Sequence, residues 1–319
     1  MAIHPVLTQY QEIFAPVFSR LKFTPGKIFR EGPRFFVVGG EYQGKKAIFK
    51  ADVEDPEKET RRAYLKLRRE AAFLESQPLS QAPSFYAKGE EQDFFWILEE
   101  LVPGKSQEAG EGTFLFKDGF FTGENLDWAL SFLANLHQVG RKNSNPAWVE
   151  FKNKFAKRYT LDDYVRVMAS DKEYLVGKSL MDKIDSFIGV RHDLFDGQQT
   201  VMAHHEFYAP HIFVNGGEFN VIDWENVGWG NPAYDFTELW FRSFNHLDFQ
   251  KELEERFRSS QKETEIFDQL FSLEILLQGL GNLKYFSMTE IEDEKEVAGK
   301  LSAFAKDAID RVLAQDGKF

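Results

Sequence analysis

Cysteine is absent from the 319 residues. That removes disulfide frameworks, zinc–thiolate sites and cysteine nucleophiles, and makes a reducing, cytoplasmic setting the natural expectation. Long apolar runs are also missing: no stretch reaches the roughly 18–20 apolar residues that a membrane span needs. Met1 to Phe14 lacks the basic-then-apolar order of a signal peptide. Positive charge is scarce, with 39 Lys and Arg against 51 Asp and Glu and a formal net charge of −12. Such a balance argues against nucleic acid and anionic membranes as partners, and suits a cationic ligand or simple solubility. Methionine numbers 5 against 33 phenylalanines, so the core is expected to be aromatic and rather rigid. Neither an internal repeat nor a low-complexity tract is present.

The length suits one large two-lobed domain or two ordinary ones. Val6, Tyr10, Ile13, Phe14, Val17 and Phe18 recur at helical spacing and predict an opening amphipathic helix. Turn signals at Gly32-Pro33 and Gln43-Gly44 then divide a three-strand antiparallel meander over 27–30, 35–41 and 46–53. A helix is expected over 56–76, with Pro56 in its first turn, Glu57 and Glu59 at its positive end, and Glu70 on the edge of its apolar stripe. Residues 94–102 read as a buried strand ended by Pro103-Gly104, the expected lobe boundary, which gives units 1–103 and 104–319. Beyond it, two phenylalanine runs flank Lys117-Asp118-Gly119 and predict a hairpin over 114–121. Helices are expected over 126–137, 161–188 and most of 234–313, and strands over 199–224. Strands first and helices afterwards indicate an α+β fold with a sheet lobe and a helical lobe.

Two glycine patterns imitate nucleotide-binding motifs. Gly39, Gly44 and Lys45 have phosphate-loop spacing, but Lys46 replaces the hydroxyl residue and a strand follows instead of a helix. Gly228-Trp229-Gly230-Asn231-Pro232-Ala233 spells a dinucleotide fingerprint, yet no return strand follows it. The first reads as a hairpin turn, and the second is rejected.

The densest chemistry lies between His204 and Glu225. Gly216-Gly217 predicts a two-residue hairpin that pairs Val214 with Phe219 and Ile212 with Val221. His211 then comes diagonal to Asp223 at the open end, with Glu206 entering and Glu225 leaving. Carboxylates and imidazoles converging there suit metal binding or proton transfer; the alternative is a solvated hairpin end.

His204-His205-Glu206-Phe207-Tyr208-Ala209-Pro210-His211-Ile212-Phe213-Val214 resembles the HGDLHPGNILV segment of the aminoglycoside phosphotransferase and choline kinase-like family. Val221-Ile222-Asp223-Trp224-Glu225, followed by Gly228-Trp229-Gly230-Asn231-Pro232-Ala233-Tyr234-Asp235-Phe236, resembles its VIDWE and GWGDPAYDL segments. Ala47-Ile48-Phe49-Lys50, Arg69-Glu70-Ala71-Ala72-Phe73-Leu74, the stretch from Trp96 to Gly104, and Leu133-Ala134-Asn135-Leu136-His137 fall in the family's order. The resemblance spans about Lys27 to Trp240. It implies a protein-kinase-like two-lobed fold, with an antiparallel-sheet N-lobe and a mostly helical C-lobe.

The resemblance also implies roles. Lys50 would contact the ATP phosphates and Glu70 would hold it, with Glu75 as the alternative partner. Glu99, Glu100 and Leu101 would offer backbone groups to adenine. Asp223 would bind Mg2+, with His211 and Glu225 as further metal candidates, and Glu206 would be the catalytic base. His204 would brace the loop. The implied activity is phosphorylation of a hydroxyl on a small molecule; a pseudokinase that binds nucleotide with little turnover is the alternative. Departures from the family pattern concentrate at the chemistry. Glu206 stands for Asp, His211 for Asn, His205 and Pro210 for Gly, and Asn231 for Asp. Glu is longer by about 1.5 Å, and a misplacement of ~1 Å can cost ~10²-fold in rate. Imidazole at His211 either weakens a second Mg2+ or invites Mn2+.

Overall fold

The computed structural model describes residues 5–58, 61–110, 112–142, 146–168, 173–287 and 292–314. Met1 to His4 and Glu59 therefore lie outside the described residues, as does part of the helical stretch expected over 161–188. The chain divides into two compact units. The first comprises Met1–Lys105, Asn145–Phe151 and Phe213–Glu225, and the second Ser106–Ser144, Lys152–Ile212 and Asn226–Phe319.

In the first unit, α1 (Pro5–Leu21) precedes β1 (Phe23–Glu31), β2 (Phe35–Tyr42) and β3 (Lys45–Asp52). Next come α2 (Arg62–Glu75), β4 (Phe85–Glu90) and β5 (Phe95–Glu100). The strands form one antiparallel sheet in the order β1-β2-β3-β5-β4. It has two more strands than the expected meander, one of them β5, already read as a separate buried strand. β1 also begins earlier than expected, because Thr24 and Pro25 pair with Glu41 and Gly40, with register shifts on either side of Ile28. The Gly39–Lys45 imitation is the β2–β3 hairpin, with Gly44 at φ +77 in its turn.

Each sheet face carries its own core. Phe14 and Phe18 of α1 pack with Phe23, Phe36, Phe49 and Trp96 on one face. Ala63, Leu67 and Ala71 of α2 pack with Phe35, Phe95 and Ile97 on the other. The rings meet mostly edge-on or tilted, as in Phe14–Phe94 and Phe18–Phe49. α2 begins at Arg62 and not at Pro56; residues 56–58 form a turn. The Glu54 carboxylate accepts the Ala63 N–H at 2.6 Å, which supplies the first turn with the acceptor expected from nearer acids.

The second unit is mostly helical. Its helices include Gly123–Lys142, Tyr234–Arg242, Leu247–Ser260, Thr264–Ser287 and Glu292–Ala314. A small sheet orders Lys157–Arg158, Gly228–Gly230 and Val201–Ala203. The second glycine imitation is the middle strand of that sheet, and a Cβ on Gly228 would lie 2.2 Å from the Lys157 carbonyl oxygen. Phe236 stacks on Phe257 at 4.6 Å and meets Phe267 and Phe271 edge-on in the aromatic core. Residues 114–121 do not form the expected hairpin. Phe116 bridges to Glu108, and Asp118–Phe120 is a 3-10 turn, because the first run finds its partner upstream. Among the described residues, no helix is long and apolar enough to cross a membrane.

Candidate active site

Strand alternation decides where Lys50 points. Ala47, Phe49 and Ala51 enter the α1-side core, which turns Ile48 and Lys50 toward α2. On β5, Trp96 and Leu98 take the α1 side while Phe95 and Ile97 take the other, so Glu99 shares the face of Lys50. Ile48 lies opposite Glu99 and Lys50 opposite Ile97, which makes Lys50 and Glu99 a diagonal cross-strand pair. Lys50 Nζ lies 2.7 Å from Glu99 Oε1 and donates to Glu70 Oε1 at 2.8 Å. Glu75 pairs with Lys88 instead.

Burial opposes the charge on Lys50. The fields of Glu70, Glu99 and Asp223 outweigh it and hold the ammonium well above the ordinary lysine range. Burial pushes Glu70 and Glu99 up as well, against the pull of Lys50. Three acids thus surround one base in a buried place.

Asp223 belongs to the same unit and follows the hairpin Ile212–Asn215/Glu218–Val221, whose turn residues Gly216 and Gly217 have φ +58 and +90. Asp223 itself has φ +66, an uncommon left-handed conformation for a residue with a Cβ. One face of α2 grips the residues after it. Glu70 Oε1 accepts the Trp224 N–H at 3.2 Å, and Phe73 stacks on the Trp224 indole at 4.4 Å. Lys66 pairs with the Glu225 carboxylate, and Arg69 donates to the Glu225 carbonyl at 2.8 Å. Positions 66, 69, 70 and 73 form a single helical stripe. Glu225, a sequence-based metal candidate, is thereby committed to a lysine.

In the second unit, residues 204–211 form a loop whose backbone donors end on buried acids. The N–H groups of His204 and His205 donate to Asp235 at 2.7 and 2.9 Å, and that of Phe207 donates to Glu238 Oε2 at 2.7 Å. Asp235 and Glu238 lie three residues apart on the helix Tyr234–Arg242, so one helix face fixes the loop on both sides of Glu206. Burial raises both, Asp235 to about 7 and Glu238 well above the usual range. His204 is fully buried and its Nδ1 accepts the Glu206 N–H at 3.3 Å, the bracing expected of it. His205, at φ +67, points Nδ1 at the Asn226 carbonyl. His211 Nδ1 lies 2.8 Å from the Glu206 carbonyl. A carbonyl only accepts, so Nδ1 carries a proton and donates it there.

Comparison with known proteins now bears on these two sets of residues. The sequence model of the phosphotransferase enzyme family (APH) matches residues 30–269. The chain belongs to that family. No curated protein sequence matches it. Among solved structures it is similar to aminoglycoside phosphotransferase APH(4)-Ia, with 13% identity, 97% of this chain and 99% of that chain covered, and a TM-score of 0.56. A choline/ethanolamine kinase family protein from Mesorhizobium loti has 13% identity, coverage of 95% and 99%, and a TM-score of 0.52. Aminoglycoside phosphotransferase APH(3'')-Id from Streptomyces rimosus, solved with ADP and streptomycin, has 13% identity, coverage of 87% and 99%, and a TM-score of 0.52. The protein-kinase-like fold, an antiparallel sheet followed by a mostly helical region, agrees with the expectation from sequence.

Within this family member, one departure from the family pattern has a visible partner. Asn231 Nδ2 donates to Glu274 Oε1 at 2.6 Å, and Asn231 Oδ1 accepts the Ala233 N–H ahead of the helix Tyr234–Arg242. An aspartate could not donate to Glu274. Glu274 also accepts from Tyr164 and Gln278, and burial raises it to about 7. Sequence reasoning quoted Asp235 within a motif but missed the loop-holding roles of Asp235 and Glu238. Two acids three apart among the aromatic residues of that helix were the available signal.

Proposed function

We propose that the protein is an ATP- and Mg2+-dependent phosphotransferase that phosphorylates a hydroxyl of a small molecule. The observation that carries this reading is the buried Lys50 ammonium, held charged between Glu70 and Glu99 under the field of Asp223. Phosphoryl transfer asks the protein mainly for positioning and charge neutralisation, and a fixed cation supplies both toward the ATP phosphates. Adenine would lie along Glu99, Glu100 and Leu101. The Glu100 and Leu101 N–H groups already donate to Ser84 and Lys46, so recognition there falls to carbonyl oxygens. Pro103-Gly104 would be the hinge. Gly104 has φ +104, and a Cβ there would meet the Val214 carbonyl oxygen at 2.3 Å.

The acids around Lys50 outnumber it, and that surplus fits a divalent cation arriving with the nucleotide. Asp223 and His211 would hold the metal; Glu225 would join only on release from Lys66. Bound there, Mg2+ would offset the charge of the phosphates. His211 would present Nε2, a donor better suited to Mn2+. Glu206 would orient the acceptor hydroxyl and take its proton as the new oxygen–phosphorus bond forms and the bond to ADP breaks. A cytoplasmic location, with nucleotide and one small-molecule acceptor as partners, completes the reading.

Millimolar ATP with Mg2+ or Mn2+ is expected to raise the melting temperature, and Lys50→Ala and Asp223→Ala are each expected to blunt the rise. A wild type that shows no shift with either metal sinks the proposal. The second reading, a nucleotide-binding pseudokinase, is favoured by Glu206 and His211 standing where the family has Asp and Asn. ATP turnover separates the two. Loss of turnover in Glu206→Gln supports the enzyme, and turnover indifferent to that change leaves the pseudokinase.

A further inference from the structure

The second unit encloses a cavity of about 210 Å³ beside the loop that carries Glu206. That is below the ~300–1,000 Å³ typical of drug-sized ligands, so its occupant is small. Tyr208 forms one wall, and the Tyr208 N–H donates to the Glu206 carbonyl at 2.8 Å. Phe114 meets Tyr208 and Tyr285 edge-on, each at 5.5 Å, and with Phe241 these make four rings bordering the space. Phe114 has φ +56, a costly conformation for an aromatic residue, and its N–H is tied to Glu108 Oε1 at 3.1 Å.

The polar lining comes from Arg242 and its neighbours. Arg242 is 9% exposed, yet among the described residues its Nε and Nη1 have no hydrogen-bond partner. Its guanidinium lies over the rings of Tyr208 and Phe286, at 5.4 and 5.5 Å. A buried cation with open donors is costly unless something pairs with it. The nearby groups are otherwise engaged. Glu238 Oε2 accepts the Phe207 N–H, and Gln278 Nε2 donates to the Tyr234 carbonyl and to Glu274. Asn282, also buried on the lining, adds an amide.

We propose that this cavity binds the carboxylate of a small hydroxy acid, with the Arg242 guanidinium as its receptor and the four rings around its apolar body. The open Nε–H and Nη1–H lie on different sides of the guanidinium, so a carboxylate oxygen would accept a charge-assisted hydrogen bond from one of them. A single negative charge balances Arg242, whereas a dianion would also face the acid at Glu238. The net charge of −12 suits a cationic ligand or simple solubility, whereas the cavity's open donors call for an anion. That this acid is the phosphoryl acceptor rests on the phosphotransferase reading; that the cavity takes a carboxylate does not.

The test compares 4-(hydroxymethyl)benzoate and 3-hydroxybutyrate with their primary amides and with choline, each at about 10 mM, by thermal shift without nucleotide. At least one acid is expected to raise the melting temperature while its amide and choline do not. The shift is expected to vanish in Arg242→Gln and to survive in part in Arg242→Lys. Amide or choline matching the acids, no shift with either acid, or an acid shift intact in Arg242→Gln overturns the proposal. The wild-type comparison stands even if Arg242→Gln fails to fold. Turnover is read separately. An acid that binds but is not phosphorylated, in a protein that also fails to respond to ATP, counts against the phosphotransferase reading alone. Phosphorylation of choline in preference to both acids counts against the carboxylate alone.

Discussion

Glu70 and Glu99 in the first unit, and Asp235, Glu238 and Glu274 in the second, are all buried acids. The first pair shares one lysine ammonium. The second set accepts from backbone N–H groups, an amide and a phenol. The same side-chain chemistry thus serves two ends. Around Lys50 it fixes a charge where a ligand's charge would come; under residues 204–211 it fixes the shape of a loop. Removing one partner should therefore break the first set electrostatically and the second through hydrogen bonds and protons.

The largest effect is expected from Lys50→Met, which leaves Glu70 and Glu99 without their cation. Breaking a buried pair on one side costs about 3–5 kcal/mol. Urea denaturation should show a larger loss at about pH 9 than at about pH 6, because wild-type Glu70, raised to about 8, ionises beside Lys50, whereas without that cation it keeps its proton to higher pH. An equal loss at both values would mean that the acids are not burdened by charge.

Next is the proton on Glu274. Burial raises it from 4.5 to about 7, so the native state binds the extra proton between those values. Its contribution is full below pH ~4.5 and is lost as pH rises through about 7. The stability of wild type relative to Glu274→Gln should fall across that window, by on the order of 3 kcal/mol. A difference that stays flat between about pH 5 and pH 8 would show that Glu274 is charged throughout.

Asn231→Asp restores the family's residue but sets a carboxylate against Glu274, where an amide donates at 2.6 Å. A loss of about 2–3 kcal/mol is expected at neutral pH, with partial recovery in the double variant with Glu274→Gln. Additive losses would refute the coupling. The smallest effect belongs to Lys66→Ala. Its pair with Glu225 is only partly buried, and such pairs contribute ~0–1 kcal/mol. A loss well above that would make Glu225 more than a tether for the hairpin end.

Local patterns carried much of this into view. Gly216-Gly217 gave the hairpin, the β2–β3 turn announced itself, and Lys50 pairs with Glu70 under the field of Asp223. What stayed hidden depended on partners distant in sequence. Glu99 was read for its backbone, yet its side chain holds Lys50; only the β3–β5 register, with Ile48 opposite Glu99, reveals the shared face. The 114–121 hairpin failed because Phe116 found Glu108, and β1 was expected only from Lys27 although its pairing with β2 begins at Phe23. Asp235 and Glu238 accept from main-chain donors, which leave no mark in a sequence.

The stripe of α2 restricts how such a chain can change. Lys66, Arg69, Glu70 and Phe73 all reach the two residues after Asp223, and Glu70 holds Lys50 with the same oxygen that receives the Trp224 N–H. Inserting or deleting one residue within that turn would swing the remainder of the stripe by about 100°. Substitutions here alter one contact at a time, while a change in length removes several together. Genes encoding such a protein should therefore tolerate point changes in this helix far more readily than a gained or lost codon.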